Sequence, residues 1–584
     1  MVAQTRAPGF IELHTPKLVT ILREHYRLAD LRADAMAGLT VAIVALPLSM
    51  AIAIASGVTP DRGIYTAIVG GFFVSALGGS RFQIGGPAGA FIVLVAATVQ
   101  QYGVDGLLLA TFLSGMILFV GGLLRLGNFI KYIPYPVTVG FTSGIAAIIF
   151  ASQLKDLFGL TLKGPEPGPF IPKLAALAAA LPTFNAAAAA LAVLAIGVII
   201  AVRRFRPHWP AFLIAVALAS VVAWGLHLHA ETIGTVFGGI PRSLPAPHLP
   251  TFSIEKMTEL FPVALSFALL GSIESLLSAV VADSMTGRRH RSNAELVAQG
   301  AANMASALFG GICVTGAIAR TATNVRAGAR GPVAGMLHSV FLLLFMLVAA
   351  PLASYIPLAA LAGVLAMVAW NMAEKHEFAT LIRASRGDAV VLLATFFLVV
   401  FRDLTEGILV GFGLGVLLFL HRMAQSVEIE NLRPIVEEDI ADTVNGNGRQ
   451  PYDAALATDP DVIVYRISGA FFFGSAASVG AALDRIGEHP KAYVIDFSAV
   501  PMIDSTAATT IEGFARKAHR HHAIVYVVGA QPASRRVLLA HGVRPPQVHF
   551  MTNLGDALAA ARNDMADKAA PRPLRSNTGS DPAN

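Results

Sequence analysis

The stretch Gln83-Ile84-Gly85-Gly86-Pro87-Ala88-Gly89-Ala90 and the related stretch Cys313-Val314-Thr315-Gly316-Ala317-Ile318-Ala319-Arg320-Thr321 both interrupt long apolar regions of the chain. Each opens an apolar block that is shorter than the roughly 20 residues that a membrane-spanning helix needs. Backbone polar groups cannot stay unsatisfied in hydrocarbon, so non-helical sequence at this depth survives only inside protein or beside a cavity. The two stretches therefore predict two broken segments buried within a membrane protein.

The composition agrees with a membrane protein. Of 584 residues, 55% are hydrophobic and only 14% are charged, whereas soluble domains carry about 25% charged residues. The single cysteine, Cys313, excludes an intramolecular disulfide framework and a cysteine-cluster metal site, and we expect it to pack in the core. The net charge of +6 comes without an interleaved basic and aromatic stripe, so we expect no nucleic-acid partner.

Residues 31–425 contain about fourteen apolar blocks, seven in each half. They lie at about 37–56, 62–79, 87–101, 105–124, 134–153, 184–202, 209–226, 258–284, 293–310, 316–328, 332–353, 357–372, 388–401 and 404–421. Because each half has an odd number of spans, the second half lies in the opposite orientation to the first. The interrupted block is the third one in each half. The fold class predicted is an all-α membrane domain of 14 segments, built as a seven-plus-seven inverted repeat.

Basic residues fall in alternate connections, as the positive-inside rule requires. They are Lys17, Arg23, Arg27, Arg32, Arg125, Lys131, Arg203, Arg204, Arg206, Arg288, Arg289, Arg291, Arg326, Arg330, Lys375, Arg383, Arg386 and Arg422. Residues 1–30 are then a cytoplasmic N-terminal segment, and both termini are cytoplasmic. The first 25 residues contain no compact signal-peptide core. We expect a multi-pass protein of the bacterial inner membrane.

The broken segments suggest an anion site. Pro87 suits the first turn of a half-helix, whose free N–H groups and positive dipole end would face the middle of the membrane. The second stretch supplies another helix start and the fixed charge of Arg320, which pairs well with oxyanions. Two alternatives remain for Arg320: its side chain extends to the interface, or it pairs with Glu274.

Glu274 is the only acid that the sequence places in the middle of a span, which makes it a candidate functional group. Protonated, it would be a proton-coupling acid; ionised, it would form part of a sodium site with Ser278 at i+4. A structural alternative is a partner for Arg320 or a neutral, helix-bound acid. Four other acids lie near predicted helix ends, where we expect interfacial solvation: Asp283, Glu295, Asp388 and Glu406.

The C-terminal region reads as a soluble α/β domain. Residues 426–460 form a predicted linker that includes the run Val444–Gly448, residues 461–565 alternate strands and helices, and residues 566–584 read as a disordered tail. The predicted strands are 462–467, 492–497, 523–528 and one near Val548; the predicted helices are 476–486, 505–518, 533–541 and 554–561. Asp504 or Ser505 would cap the second helix.

Several motifs resemble the SulP anion-transporter (sulfate permease) family, closest to its bacterial dicarboxylate and sulfate branch. They are Ala45–Ala51 with Gly57–Pro60, Gly85–Gly89, Pro136–Gly144, Asn293–Gly300, Phe309–Gly311, Ala319–Thr321 and Asn324–Ala329. The resemblance implies core and gate domains, elevator-type movement and a homodimer. It also implies an anion site at Ala88, Gly89, Ala319 and Arg320, walled by Leu48 and Ile52. Some relatives have a polar or acidic residue at the Leu48 position, so their coupling mechanism does not carry over.

Residues 461–565 are similar to a STAS domain. In anti-sigma-factor-antagonist relatives the serine that matches Ser505 is phosphorylated, so the resemblance implies possible regulation at Ser505 and a cytoplasmic partner. Sodium-coupled bicarbonate transporters of the SulP family have Asp where Glu274 stands, which favours a proton over sodium as the coupling ion.

The predicted function is secondary active transport of a small anion, by proton-coupled symport of sulfate or a related oxyanion. The alternatives are symport of a C4-dicarboxylate or bicarbonate, and an uncoupled anion exchanger or channel. We expect no organic cofactor and no bound metal. An enzyme is not expected either, because the spans contain no Ser/His/Asp set, metal-ligand cluster or phosphate-binding loop.

Overall fold

The computed structural model describes residues 9–128, 134–164, 166–207, 209–431, 461–484 and 490–569. The chain forms two compact units, Met1–Gly415 and Val416–Asn584. Parts of the sequence predictions lie outside the described residues: the linker from 432 to 460 with its run Val444–Gly448, the end of one predicted helix at 485–486, and the tail from 570 onward.

The first unit is helical. Its helices are α1 (Phe10–His14), α2 (Lys17–Arg23), α3 (Leu28–Ala55), α4 (Pro60–Tyr65), α5 (Gly71–Leu77), α6 (Ile92–Leu123), α7 (Tyr135–Leu157), α8 (Phe170–Ala179), α9 (Ala186–Phe205), α10 (Ala211–Gly225), α11 (Ile233–Phe237), α12 (Ile254–Thr286), α13 (Ser292–Leu308), α14 (Ile318–Arg326), α15 (Val333–Ala353), α16 (Leu358–Met372), α17 (Lys375–Ala384), α18 (Arg386–Phe401) and α19 (Leu404–Gln425), the last of which continues into the second unit. A π-helical turn, Thr66–Gly70, joins α4 to α5, and a 3₁₀ turn, Gly89–Phe91, leads into α6.

Each of the fourteen predicted blocks overlaps one of these helices. Eight helical stretches in the described part of the chain are long and apolar enough to cross a membrane. The third and fourth blocks share the stretch Gly89–Leu123, which bends at Gly103, where φ is 69° and ψ is −175°. Glycine suits this bend because it adopts a positive φ without steric strain.

The helix packing repeats itself between the two halves. Helix α3, the first segment, packs on α15, the eleventh. In the same way α12, the eighth segment, packs on the second part of α6, which is the fourth segment. Likewise α7 packs on α18, and their counterparts α16 and α9 pack together. These equivalent contacts are those of an inverted repeat. They define a core bundle of α3–α6 with α12–α15, and a gate bundle of α7–α10 with α16–α18 and the start of α19.

Glycines let helices of the core bundle come into backbone contact, as in many membrane proteins. A Cβ added at Gly38 of α3 would lie 3.1 Å from the backbone nitrogen of His338 on α15. At Gly300 of α13 a Cβ would lie 2.5 Å from the backbone nitrogen of Phe119 on α6. The core bundle is therefore close-packed around the two broken segments.

The described part of the second unit forms a five-stranded sheet in the order β3-β4-β5-β6-β7, in which β3 is antiparallel to β4 and the other strands are parallel. Its strands are β3 (Glu428–Asn431), β4 (Val462–Ser468), β5 (Ala492–Asp496), β6 (Ile524–Val528) and β7 (Val548–Met551). Among its described residues, the helices after α19 are α20 (Phe473–Asp484), α21 (Ser505–Arg520), α22 (Pro532–Ala540) and α23 (Leu554–Ala569). The alternating α/β pattern is confirmed, but β3 was not predicted: it lies in the segment read as linker.

Candidate anion site

The two broken segments meet in a short antiparallel ladder. Its strands are β1 (Gly85–Gly86) and β2 (Thr315–Gly316), with Gly85 opposite Gly316 and Gly86 opposite Thr315. The backbone N–H of Ala317 donates to the Ile84 carbonyl at 2.9 Å and extends the ladder. The ladder satisfies backbone groups that hydrocarbon would leave unpaired.

A helix starts directly after each strand. Ala88 is the N-cap of the turn that leads into α6, and Ala317 is the N-cap of α14; neither helix start is capped by a side chain. The first-turn N–H groups of a helix have no partner within that helix. The prediction for Pro87 was wrong, because Ala88 still has extended φ and ψ of −115° and 146°. Pro87 therefore precedes the helix instead of standing in its first turn.

Arg320 connects the two helix starts. Its side chain is only 1% exposed, and Nη2 donates to Ser49 Oγ on α3 at 3.1 Å and to the Pro87 carbonyl at 3.4 Å. Among the described residues, Nε and Nη1 of Arg320 have no hydrogen-bond partner. A buried donor without an acceptor is unfavourable. The guanidinium thus offers donors that an oxyanion would satisfy, since arginine matches the geometry of such anions.

Gly86 makes room for the guanidinium. A Cβ added at Gly86 would lie against Arg320 Nη1, and its nearest other contact would be the Ala67 side chain at 3.7 Å. On α3, the Ser49 hydroxyl donates to the Ala45 carbonyl at 2.7 Å, which leaves its oxygen lone pairs to accept from Arg320. Ser49 and Gly86 therefore fix the side chain of Arg320, although neither was singled out from the sequence.

The other predicted site residues surround this point. Leu48, Ile52 and Ala88 are buried, Gly89 is half-buried and Ala319 is exposed. A Cβ at Gly89 would lie 3.3 Å from Met372 Sδ on α16 and 3.5 Å from Ile149 Cδ1 on α7. The candidate site is therefore open at Ala319 and borders the gate bundle at Gly89.

Glu274 lies on α12 with its side chain 9% exposed. Within the described residues no hydrogen bond or ion pair involves its carboxylate, and Arg320 has no ion-pair partner there either. The structure thus supports neither the Glu274–Arg320 pair nor an Arg320 side chain that extends to the interface. The Ser278 hydroxyl donates to Thr321 Oγ1 at 3.0 Å, away from Glu274.

Hydroxyl groups of α12 and α14 hold the ladder in place. Ser275 and Thr315 share a 2.6 Å hydrogen bond, and Thr321 Oγ1 accepts from the backbone N–H of Ile84 at 3.2 Å. Ser278 thus contributes to the scaffold of the site through Thr321.

Two buried carboxylates anchor the loops that flank the broken segments. Glu295 Oε2 accepts from the backbone N–H groups of Gly79 (2.9 Å) and Ser80 (3.1 Å), just before the third segment. Asp34 Oδ1 accepts from the N–H groups of Arg330 (2.5 Å) and Gly331 (3.1 Å), just after the tenth. The expectation that Glu295 is solvated was wrong: it is fully buried, because its helix end packs against that loop.

The described residues contain no group of three or more His, Cys, Asp or Glu side chains placed to hold a metal ion. Cys313 is buried, and its Sγ lies 3.3 Å from Thr111 Oγ1. These contacts give Cys313 a packing role.

In the second unit, Asp504 is the N-cap of α21. Its carboxylate accepts from the backbone N–H of Ala507 and from that of Phe473, both at 2.9 Å. Ser505, the first residue of α21, is exposed. The helix start is thus capped by Asp504, and Ser505 is accessible.

Comparison with known proteins agrees with this architecture. Residues 31–395 match the model of the Sulfate permease family, and residues 453–557 match that of the STAS domain. The YvdB protein of Bacillus subtilis (strain 168), provisionally named a sulfate transporter, is 40% identical over 522 residues, which are 89% of this chain and 95% of YvdB. The bicarbonate transporter BicA of Picosynechococcus sp. (strain ATCC 27264 / PCC 7002 / PR-6) is 30% identical over 530 residues, covering 88% and 91%.

Solved structures have the same fold. The murine Solute Carrier 26 family member A9 anion transporter in its inward-facing state superposes with a TM-score of 0.82 at 19% identity, covering 96% of each chain. The transmembrane domain of a cyanobacterial bicarbonate transporter BicA gives a TM-score of 0.58 at 30% identity, covering 67% of this chain and 98% of that domain. These relatives are transporters, not enzymes. With its ladder of broken helices, buried Arg320 and C-terminal STAS domain, the chain belongs to the sulfate permease family of membrane anion transporters.

Proposed function

We propose that this transporter carries sulfate or a related oxyanion by proton-coupled symport. The observation that supports the proposal is the guanidinium of Arg320, which is buried between two uncapped helix starts and has no carboxylate partner among the described residues. A fixed positive charge with free donors favours an anion, and the helix dipoles add to that preference. The anion would lie between Gly89 and Ala319, with Leu48, Ile52 and Ala88 beside it.

The proposed coupling residue is Glu274. A carboxylate buried in a membrane span without a basic partner is costly to ionise, so this side chain would bind a proton readily. The glutamate also differs from the aspartate of sodium-coupled relatives. Glu274→Gln should abolish uphill uptake and retain some anion binding; concentrative uptake by this variant would remove Glu274 from the mechanism.

Alternating access would follow from movement of the core bundle along the gate bundle. The candidate site belongs to the core bundle and borders the gate at Gly89, so a rigid shift of the core would carry the bound anion with it. We further propose that residues 31–425 are the transport domain and 461–565 the STAS domain, and that the protein is a homodimer in the bacterial inner membrane with both termini cytoplasmic.

Ser505 is the proposed regulatory position of the STAS domain. It is exposed at a helix N-terminus, where a phosphate group is favoured by the helix dipole. If this role is correct, Ser505→Glu changes the transport rate and Ser505→Ala does not respond to a kinase-containing extract. Equal rates for wild type and both variants under all conditions would exclude it.

The test of the function is uptake of radiolabelled sulfate, succinate or bicarbonate into proteoliposomes. Each anion is supplied with an inward proton gradient, with a sodium gradient or with neither. Accumulation of sulfate that depends on the proton gradient is the expected result. Accumulation of succinate or bicarbonate instead would identify a different substrate, and bicarbonate is a specific alternative because of the 30% identity to BicA.

An uncoupled exchanger or channel would use the same positive site. It would let all three anions equilibrate without accumulation under any gradient. That result would replace the symport proposal with a passive pathway.

A further inference from the structure

A buried histidine lies in the core bundle and has no role in the function described so far. His338 on α15 is 0% exposed, and neither of its ring nitrogens has a hydrogen-bond partner among the described residues. Burying polar groups without hydrogen-bond partners is unfavourable. A buried imidazole with both ring nitrogens unpaired therefore calls for an explanation.

The packing of α15 shows where the imidazole lies. Ala334 and the backbone of His338 contact α3 at Gly38, whereas Gly335 contacts Ser75 of α5. Successive helix residues are turned by about 100°, so position 338 points between the directions of 334 and 335. The ring of His338 therefore enters the wedge between α3 and α5.

The guanidinium of Arg320 enters the same wedge from α14. It donates to Ser49 of α3, and it lies beside Gly86, which is close to Ala67 of the π-helical turn. The Ser339 hydroxyl, next to His338 in sequence, donates to the carbonyl of that same Ala67 at 3.3 Å. The imidazole and the guanidinium thus share one buried compartment.

Few other charged groups face His338. From α3 the nearest is Asp34, one turn before Gly38, and its carboxylate already accepts from Tyr26 Oη, Arg330 N and Gly331 N. The π-helical turn and α5, residues 66–77, contain no ionisable side chain, and neither does β1. From α14 the buried charge is Arg320. Apart from the burial of the ring, the charge state of His338 therefore depends on Arg320 and on what binds there.

We propose that His338 is a second proton-binding group of the transport domain, and that the anion bound at Arg320 controls its protonation. The proposal rests on the anion site described under the proposed function. Without an anion, a proton on His338 would place two positive charges together in a low-dielectric compartment. A bound anion offsets the charge of Arg320, so a ring nitrogen of His338 takes up a proton from water. By linkage, the protonated ring then strengthens anion binding to the same degree.

The first experiment measures proton uptake when sulfate is added to the purified full-length protein in weakly buffered detergent solution with a pH-indicator dye. Sulfate binding to the same samples is measured by calorimetry between pH 5 and 8. Wild type should take up protons, and His338→Gln should take up about one proton fewer per bound sulfate. His376→Gln, the same change at an exposed histidine of α17, should take up as many protons as wild type. Glu274→Gln should keep the share of the proton uptake that is due to His338.

The affinity for sulfate should also rise as the pH falls, by up to about tenfold per pH unit for each proton taken up, and this slope should be smaller in His338→Gln than in wild type. Sulfate binding with equal proton uptake and equal slopes in wild type and His338→Gln would overturn the proposal for His338 alone. Failure of wild type to bind sulfate, succinate or bicarbonate would instead overturn the anion site on which it rests.

A second measurement needs no substitution at position 338. Nitrogen-15 NMR of the histidine-labelled protein reports the protonation of all 16 histidine rings. In wild type one buried ring should change from neutral to protonated on sulfate binding. In sulfate-free Arg320→Gln that ring should be protonated at a higher pH than in sulfate-free wild type, because the repelling charge is gone. If no ring changes protonation when sulfate binds to wild type, His338 does not have this role.

Discussion

The buried guanidinium of Arg320 is the central group of the candidate anion site. Lysine would not replace it, because an ammonium group lacks the planar fork that reaches Ser49 and the Pro87 carbonyl while leaving further donors for an anion. The position of the guanidinium depends on neighbours that are small or accept hydrogen bonds. Substitutions at those neighbours should therefore change anion binding without any change in charge.

Gly86→Ala is the substitution that tests this dependence. The added methyl group occupies the place of Arg320 Nη1, so the guanidinium must move away from the helix starts. Loss of a charge-assisted hydrogen bond costs about 1.5–3 kcal/mol, and we expect anion affinity to fall roughly 10- to 100-fold. Calorimetric titration of the purified protein measures this change.

Gly197→Ala is the matched control, because no atom lies within 4 Å of a Cβ at Gly197 in the middle of α9. It should bind the anion as wild type does. If Gly86→Ala also binds as wild type does, the guanidinium does not need its observed position.

At the scale of single residues, the sequence placed Arg320 at the second helix start. For Glu274 it left open a proton-coupling acid, a sodium ligand, a partner for Arg320 and a neutral, helix-bound acid. It did not predict Ser49, His338 or the burial of Glu295. Hydropathy identifies which blocks enter the membrane, but it does not say which face of a helix meets which neighbour. Glu295 stands near the start of α13, where a carboxylate is usually solvated, and only the packed loop at Gly79 and Ser80 buries it.

Among the structural elements, the two broken segments depend on one another and on their flanking loops. The ladder of β1 and β2 pairs their backbones, α12 hydroxyls fix that ladder, and one buried carboxylate holds each flanking loop. Glu295, on segment nine, holds the loop before segment three. Asp34, on segment one, holds the loop after segment ten. The half-helix starts are thus positioned by polar groups from several other elements.

Glu295→Gln tests this anchoring. The substitution removes the charge and one of the two acceptor oxygens, so buried backbone N–H groups of Gly79 or Ser80 lose a partner. We expect the transport domain to be destabilised by about 1–3 kcal/mol. Thermal unfolding of the detergent-purified protein, followed by aggregation or fluorescence, measures the decrease.

Glu406→Gln is the comparison for Glu295→Gln, because Glu406 is exposed and pairs with Arg402 one turn away. Surface pairs of this kind contribute about 0–1 kcal/mol, so this variant should unfold near the wild-type temperature. Equal unfolding temperatures for the two variants would mean that Glu295 does not anchor the loop.

The sequence predicted most elements because long apolar blocks and α/β alternation are strong patterns. It missed β3, a four-residue strand of sequence Glu-Ile-Glu-Asn. This short, charged sequence lacks the pattern of a strand, and it becomes one by pairing with β4. The sequence pattern also misplaced Pro87 because the ladder, a contact between distant segments, keeps the chain extended through Ala88. A local sequence pattern does not show which distant segments come into contact, and both of these errors depend on such contacts.

For the molecule as a whole, the core and gate bundles touch mainly through apolar side chains. One polar contact between them is a 2.8 Å hydrogen bond of the Ser266 hydroxyl on α12 with the Thr405 hydroxyl on α19. If transport requires the core to move along the gate, this contact must break and re-form in each cycle.

A disulfide between Ser266→Cys and Thr405→Cys, in a Cys313→Ala background, should therefore stop transport. The close approach of the two side chains suits disulfide geometry. We expect oxidation to abolish uptake into proteoliposomes while anion binding persists, and reduction to restore uptake. Full uptake by the oxidised, cross-linked protein would exclude relative movement of the two bundles.

The pair Thr66→Cys and Ser306→Cys provides the control, since both hydroxyls belong to the core bundle and lie 3.5 Å apart. A cross-link within one rigid bundle should leave uptake equal before and after oxidation.

The most direct test of the central claim is equilibrium binding of the transported anion to wild type, Arg320→Gln and Arg326→Gln. The two variants make the same change on one helix, but Arg320 is buried at the helix start and Arg326 is exposed at its end. The account predicts that Arg320→Gln lowers affinity by at least about tenfold and that Arg326→Gln matches wild type. Wild-type affinity in Arg320→Gln would contradict an anion site built around this guanidinium.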